Sequence, residues 1–200
     1  MELKFSPLSP YVRKVTVVAH EHGIADRLRL TRVDTRAERE RIVPFNPLGK
    51  IPALVTDAGA VIYDSPVICE YLDAEFGGHR LLPAAGARRW EILSRMALAD
   101  GMMDAAILVR HERARDAAKR SDEWAAWQLA KVVTGLDALE AQVDTFGSAL
   151  DLGQIAVACA MGYMPLRLDE LVGFPRWPGL RAWAERVGER ESLRRTVPVL

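Results

Sequence analysis

Cysteine is scarce in this chain: two residues in 200, Cys69 and Cys159, far apart. That excludes a disulfide framework and a cysteine metal knuckle. Each sits in an apolar run, Val-Ile-Cys-Glu-Tyr-Leu and Ile-Ala-Val-Ala-Cys-Ala-Met, where a cysteine reads as a small buried hydrophobe. Lysine occurs only at positions 4, 14, 50, 119 and 131, so the basic complement is mostly arginine. Surplus charge of either sign is missing, with Lys+Arg and Asp+Glu both 27. This argues against a nucleic-acid partner and against a polybasic membrane-binding surface. No apolar run reaches the ~18 residues of a bilayer span, and no signal-peptide pattern precedes the first strand-like run. The expected location is the cytoplasm, with neither membrane nor nucleic acid as partner. His20, His22 and His79 lack metal-ligand spacing; they are expected at the surface, and no metal is expected. Internal repeats and low-complexity tracts are absent too.

What is present is a large apolar fraction, 50% of residues, enough for the core of one or two domains. Residues 2–6 alternate apolar and polar as a strand does. Ser9-Pro10 then has the form of a helix N-cap followed by a first-turn proline. Val12, Val15, Val18 and Ala19 recur at helical spacing up to Gly23. Leu28, Leu30 and Val33 alternate with polar residues as a second strand, and the charged stretch 35–42 reads as a short solvated helix. A turn segment at 45–52 leads to two short apolar runs, 53–56 and 60–63, joined by the hairpin chemistry of Asp57-Ala58-Gly59. Asp64-Ser65-Pro66 repeats the cap-plus-proline signature, and a helix follows to Gly77-Gly78. The order βαβαββα describes a small mixed sheet with helices packed on it.

After a Gly/Pro/Ala-rich linker at 78–86 the pattern is entirely helical. A helix is expected from about 87 to 118 with Leu93, Met96, Met103 and Ile107 on one face. A second is marked by Leu129, Val132, Val133, Leu136, Leu139, Val143 and Phe146. Residues 155–164 are apolar nearly all round, which predicts the buried centre of a helical domain. Asp151 and Gln154 ahead of it have capping-box spacing. The expected division is 1–77, a linker at 78–86, and an all-helical C-terminal domain at 87–200.

Three local features carry chemistry. A helix N-terminus presents unpaired N–H groups and a positive dipole end, which stabilise a thiolate. Ser9 there is either a plain N-cap or a cap whose hydroxyl also donates to a ligand's thiolate. Ile51-Pro52 stands at a strand entrance. A trans bond makes it an ordinary first strand position; a cis bond turns the Ile51 backbone outward to pair with an extended peptide. Asp64-Ser65 at the next helix start is either a simple cap or a site for an amino-acid end, its hydroxyl and N–H groups suiting a carboxylate and Asp64 an ammonium.

These strings resemble the glutathione transferase superfamily over nearly the whole chain. The matching pieces are Ser9-Pro10-Tyr11-Val12-Arg13-Lys14, Phe45-Asn46-Pro47-Leu48-Gly49-Lys50-Ile51-Pro52-Ala53-Leu54, Asp64-Ser65-Pro66-Val67-Ile68 and Trp177-Pro178-Gly179-Leu180-Arg181-Ala182-Trp183. The resemblance is strongest to bacterial members with Ser-Pro at the first helix start. It implies an α/β thioredoxin-like N-terminal domain followed by an all-α domain, and a homodimer. It implies that Pro52 is cis, that Ile51 pairs with the cysteinyl unit of glutathione, that Asp64 and Ser65 hold the γ-glutamyl end, and that Lys50 lies near the glutathione carboxylates. Ser9 is then the residue bonded to the sulfur.

The chain also departs from its relatives. Redox members carry Cys-x-x-Cys at this helix start, and Ser9 and Val12 stand in those places, which excludes dithiol exchange by the protein itself. Asp64 is one methylene shorter than the family's frequent Glu. Arg13, four residues past Ser9, is either a solvated or paired cation or a source of positive potential near the thiolate. Tyr11, Met103, Ile107 and His111, with Arg110 beside them, are candidate walls for a second substrate, though a Met/Ile stripe equally suits plain core. Asp100 or Asp104 could reach a partner subunit's glutathione. The expected activity is transfer of glutathione, as thiolate, to a hydrophobic electrophile, as in detoxification. A glutathione-dependent isomerase or lyase, or a non-catalytic interaction protein, are the alternatives on the same scaffold.

Overall fold

The alternating residues at the N-terminus form strand β1, Glu2–Phe5. The computed structural model describes residues 1–168, 171 and 174–198. Strands β2 (Arg29–Arg32), β3 (Ala53–Val55) and β4 (Val61–Ile62) complete a four-stranded sheet of order β2-β1-β3-β4. β1 and β2 are parallel, which requires a crossover, and helix α1 (Pro10–Glu21) supplies it. The β1–β3 and β3–β4 pairs are antiparallel. Short helix α2 (Arg39–Ile42) precedes β3, and α3 (Ser65–Gly77) follows β4. The order is the βαβαββα read from the sequence.

Leu3 and Leu54 face each other across β1 and β3 and are fully buried, as are Val15, Val17 and Val18 of α1 and Ile68, Cys69 and Leu72 of α3. Both helices end on a left-handed glycine, Gly23 at φ 67° and Gly78 at φ 60°, positions where a Cβ is disfavoured.

Leu30 is 48% exposed, because β2 is the sheet edge with a neighbour on one side only. Its flanking Arg29 and Arg32 discourage further strand pairing. The helix expected over 35–42 is confined to α2. The Asp34 carboxylate accepts the Arg36 and Ala37 N–H groups in a side-chain-built turn, and Ile42 is buried rather than solvated. His22, expected at the surface, has a side chain only 1% exposed, with Nε2 3.0 Å from Asp73 Oδ1. The Asp73 carboxylate also accepts the Leu81 and Leu82 N–H groups at 3.0 and 2.8 Å, anchoring the segment after α3.

The chain divides into two compact units. The first gathers residues 1–92 and the C-terminal segment beginning at Arg190; the second spans Leu93–Glu189. The C-terminal segment thus lies with the first unit. There, Arg190 and Ser192 bond to Glu21 of α1, and short helix α8 (Glu191–Arg194) lies within the first unit.

The helical region begins with α4, Ala87–Arg113. It stops before the expected residue 118, because the Glu112 carboxylate accepts the Ser121 N–H at 2.8 Å and the chain turns back into α5, Asp122–Glu140. Helix α6 (Leu152–Tyr163) is almost entirely buried, the expected centre of this unit. Its capping box is closed in both directions: Asp151 Oδ1 accepts the Gln154 N–H at 2.8 Å, and Gln154 Oε1 accepts the Asp151 N–H at 3.3 Å. Buried Arg95 lies 3.5 Å from Asp151 and 4.3 Å above the Phe146 ring. Helix α7 (Pro178–Gly188) has no capping side chain of its own; Glu140 at the end of α5 accepts the Gly179 and Leu180 N–H groups at 2.9 and 2.7 Å. Among the described residues no helix is long and apolar enough to cross a membrane.

Candidate functional site

Asn46 builds the turn that carries the site's central residues. Its side chain is buried; Nδ2 donates to the Lys50 carbonyl at 3.0 Å and Oδ1 accepts the Leu48 N–H at 3.0 Å. Gly49 takes φ 67°, and the Arg39 side chain crosses so closely that a Cβ on Gly49 would lie 3.1 Å from Arg39 Nε. The turn delivers an exposed Lys50 and then Ile51, whose side chain packs on Val33, Ile42 and Ala53. The Ile51–Pro52 bond is cis. Among the described residues neither the N–H nor the C=O of Ile51 has a hydrogen-bond partner.

The sheet register gathers the three motif strings at one end. Lys4 pairs with Ala53, so Pro52 falls beside the exit of β1, where Ser6 leads to Ser9. Leu54 pairs with Ile62, so the segment leaving β4, Tyr63 to Ser65, falls on the other side of Ile51–Pro52. Sites at the ends of strands, next to helix N-termini, suit anionic ligands.

Ser9 is the N-cap of α1, with Pro10 at the first helical position, and its Oγ accepts the Val12 N–H at 3.3 Å. A serine hydroxyl carries one donor besides its acceptor lone pairs. Among the described residues that donor has no acceptor, so capping leaves the Ser9 proton free for a ligand. Asp64 is the residue preceding α3, exposed and making no capping bond; Ser65 is the first helical residue, 2% exposed, and Pro66 follows. Among the described residues neither side chain has a hydrogen-bond or ion-pair partner. The donor, ammonium, carboxylate and hydroxyl of Ser9, Lys50, Asp64 and Ser65 thus converge on one sheet end without being consumed by the fold.

The remaining candidates lie elsewhere. Tyr11 is half-buried in the first turn of α1. On α4, Met103 has no exposed surface, Ile107 is half-buried and His111 is exposed; Asp100 and Asp104 share that helix. Arg13 is half-buried, and its guanidinium donates to the Leu193 carbonyl. The roles of Asn46 and Arg39 were not singled out in sequence. Asn46 had a signal, an Asn three residues before a glycine inside a turn run, whereas the Arg39 contact with Gly49 spans ten positions and leaves no local trace.

A mixed four-stranded sheet with a helix-capping serine, a cis-proline strand entrance and a second helix start beside it, followed by an all-helical unit, defines a glutathione transferase-like class. Residues 8–75 match the family model of the glutathione S-transferase N-terminal domain. The uncharacterized GST-like protein YibF of Escherichia coli (strain K12) is 35% identical over 209 residues, covering 99% of this chain and 98% of that protein. A glutathione transferase family member from Pseudomonas fluorescens Pf-5, solved with bound glutathione, superposes with a TM-score of 0.94 at 41% identity, covering 100% of this chain and 99% of that one. The same protein with bound S-(propanoic acid)-glutathione gives 0.90 at 42% identity, covering 100% of both chains. The chain belongs to the glutathione transferase superfamily.

Proposed function

We propose that this protein binds glutathione as its thiolate and transfers it to a hydrophobic electrophile. The observation that carries this reading is the open Ile51 N–H and C=O beside cis-Pro52. Backbone groups left without a protein partner at a half-buried strand entrance are open to pairing, and an extended peptide bonds them as an added strand would. In this reading the cysteinyl unit of glutathione pairs with Ile51 and packs on Pro52. Asp64 receives the γ-glutamyl ammonium, Ser65 and the start of α3 receive its carboxylate, and Lys50 faces the glycyl carboxylate. The sulfur then meets Ser9 at the start of α1.

Ser9 acts by donating, not by removing a proton, since an alcohol is too weak a base. Its O–H bond to sulfur and the positive end of α1 favour the thiolate over the thiol, lowering a pKa that is ~8.5 for a free thiol. Each unit of lowering is about 1.4 kcal/mol of preference for the nucleophilic form. The rest of the acceleration comes from holding that thiolate against the electrophile. The complex of the Pseudomonas relative with S-(propanoic acid)-glutathione supports a carbon–sulfur product. Tyr11, Ile107 and His111 are the proposed second-substrate contacts; Met103, the fourth candidate, has no exposed surface. The proposed assembly is a cytoplasmic homodimer, with glutathione binding in residues 1–77, a linker at 78–86, and second-substrate recognition in 87–200.

Calorimetric titration with glutathione tests the reading. Saturable heat at millimolar ligand or below is expected, weakened at least tenfold in the Asp64→Ala, Ser65→Ala double variant. No heat at millimolar glutathione would contradict it.

A further inference from the structure

Helix α1 is held at both ends by one stretch of chain from the far terminus. At its C-terminal end, Glu21 accepts from Arg190 Nε and Nη2 at 3.2 and 2.9 Å and from the Ser192 hydroxyl. At its N-terminal end, Arg13 Nη2 donates to the Leu193 carbonyl at 3.2 Å, and Arg13 Nε lies 3.5 Å from Thr196 Oγ1. The segment is packed as well as bonded: Ser192 and Leu193 are 5% and 1% exposed. The Thr196 hydroxyl donates to the Ser192 carbonyl at 2.9 Å, which leaves its oxygen turned as an acceptor for the guanidinium.

Arg13 is also the residue that closes the first turn of α1. Its backbone N–H donates to the Ser9 carbonyl at 3.0 Å. Ser9 and Arg13 are therefore the two ends of one helical hydrogen bond, and anything that fixes the Arg13 side chain limits how far the capping residue can move. A guanidinium is suited to this because its planar fork can bond two acceptors at once, here a carbonyl and a hydroxyl.

We infer that Arg13 is a positioning residue for Ser9: by tying the first turn of α1 to the segment 193–196, it holds the Ser9 hydroxyl in the orientation that meets the ligand sulfur. This rests on the glutathione reading above and adds to it the part of the chain that keeps the sulfur-binding group in place. The demand on orientation is strict, because a hydrogen bond weakens steeply once donor and acceptor are misaligned. Small motions of the first turn should thus change thiolate stabilisation before they change the binding of the rest of the ligand, which is held by Ile51, Asp64 and Ser65.

The test is ultraviolet titration of the thiolate of bound glutathione, run beside calorimetry, on Arg13→Ala, Arg13→Lys and Thr196→Val. Arg13→Ala is expected to raise the bound thiol's pKa by about one unit, a tenfold loss in the thiolate equilibrium, while the glutathione Kd changes less than threefold. Charge alone predicts that lysine restores the original value. Positioning predicts that it does not, since an ammonium lacks the fork. Thr196→Val keeps the arginine charge and removes one acceptor, so it is expected to shift the pKa in the same direction by a smaller amount; it also serves as the readout if Arg13→Ala does not fold. A lower melting temperature with an unchanged thiol titration in both Arg13→Ala and Thr196→Val would overturn the inference, as would full recovery with lysine. Failure of the unaltered protein to bind glutathione at all would instead overturn the functional reading, and this inference with it.

Discussion

At Ser9 the oxygen accepts the Val12 N–H, and the proton on that same oxygen remains for a second partner. His22 shows the same economy of groups in a structural setting. Arg80 Nη2 lies 3.3 Å from its Nδ1, and an arginine can only donate, so Nδ1 is the bare nitrogen of a neutral ring whose Nε2–H faces Asp73. Burial holds the His22 pKa below its ordinary 6.5, against the opposing pull of the Asp73 carboxylate and with the help of Arg80. The sign follows from this. Below pH 6.5 the unfolded chain takes up a proton that the folded chain resists, so stability is complete above 6.5 and is lost as pH falls through the lower folded value. Urea unfolding of the native protein at pH 7 and pH 5 should show this loss, and His22→Gln should flatten it. An equal pH dependence in both would exclude His22 as the source.

At the scale of elements, helix α7 depends on a residue of another helix. Glu140 supplies both acceptors for the Gly179 and Leu180 N–H groups. Glu140→Ala should cost about 1–2 kcal/mol, the size of a lost helix cap with two orphaned donors. Glu185→Ala on α7 itself should cost almost nothing, because its ion pair with Arg181 is 3.8 Å long and exposed. Equal losses in urea denaturation would contradict this account. The contrast with α6 explains what a sequence can reveal. The Asp151–Gln154 box was legible because both partners are three residues apart, whereas the Glu140 cap joins positions thirty-nine and forty apart. Periodicity likewise predicted the four strands and the buried α6. It did not reveal that Leu30 is exposed, because an alternating pattern does not say which strand lies at the sheet edge.

For the whole molecule, the strings at Ser9, Ile51-Pro52 and Asp64-Ser65 could be read one by one, each with a bland alternative. Their convergence could not, because it depends on the β1–β3 and β3–β4 registers. Nor could the placement of the C-terminal segment in the first unit, which polar contacts of Arg13 and Glu21 with residues some 170–180 positions away bring about. In the proposed function, the C-terminal segment, α1 and the sheet end act together to present one hydroxyl to one sulfur. The most direct test is the thiolate titration of bound glutathione in the native protein and in Ser9→Ala. The account predicts a bound thiol pKa well below the free value of ~8.5. It predicts a rise of about one unit in Ser9→Ala, a tenfold change in the thiolate equilibrium, with the glutathione Kd little altered. Superimposable titrations of the two proteins would contradict it.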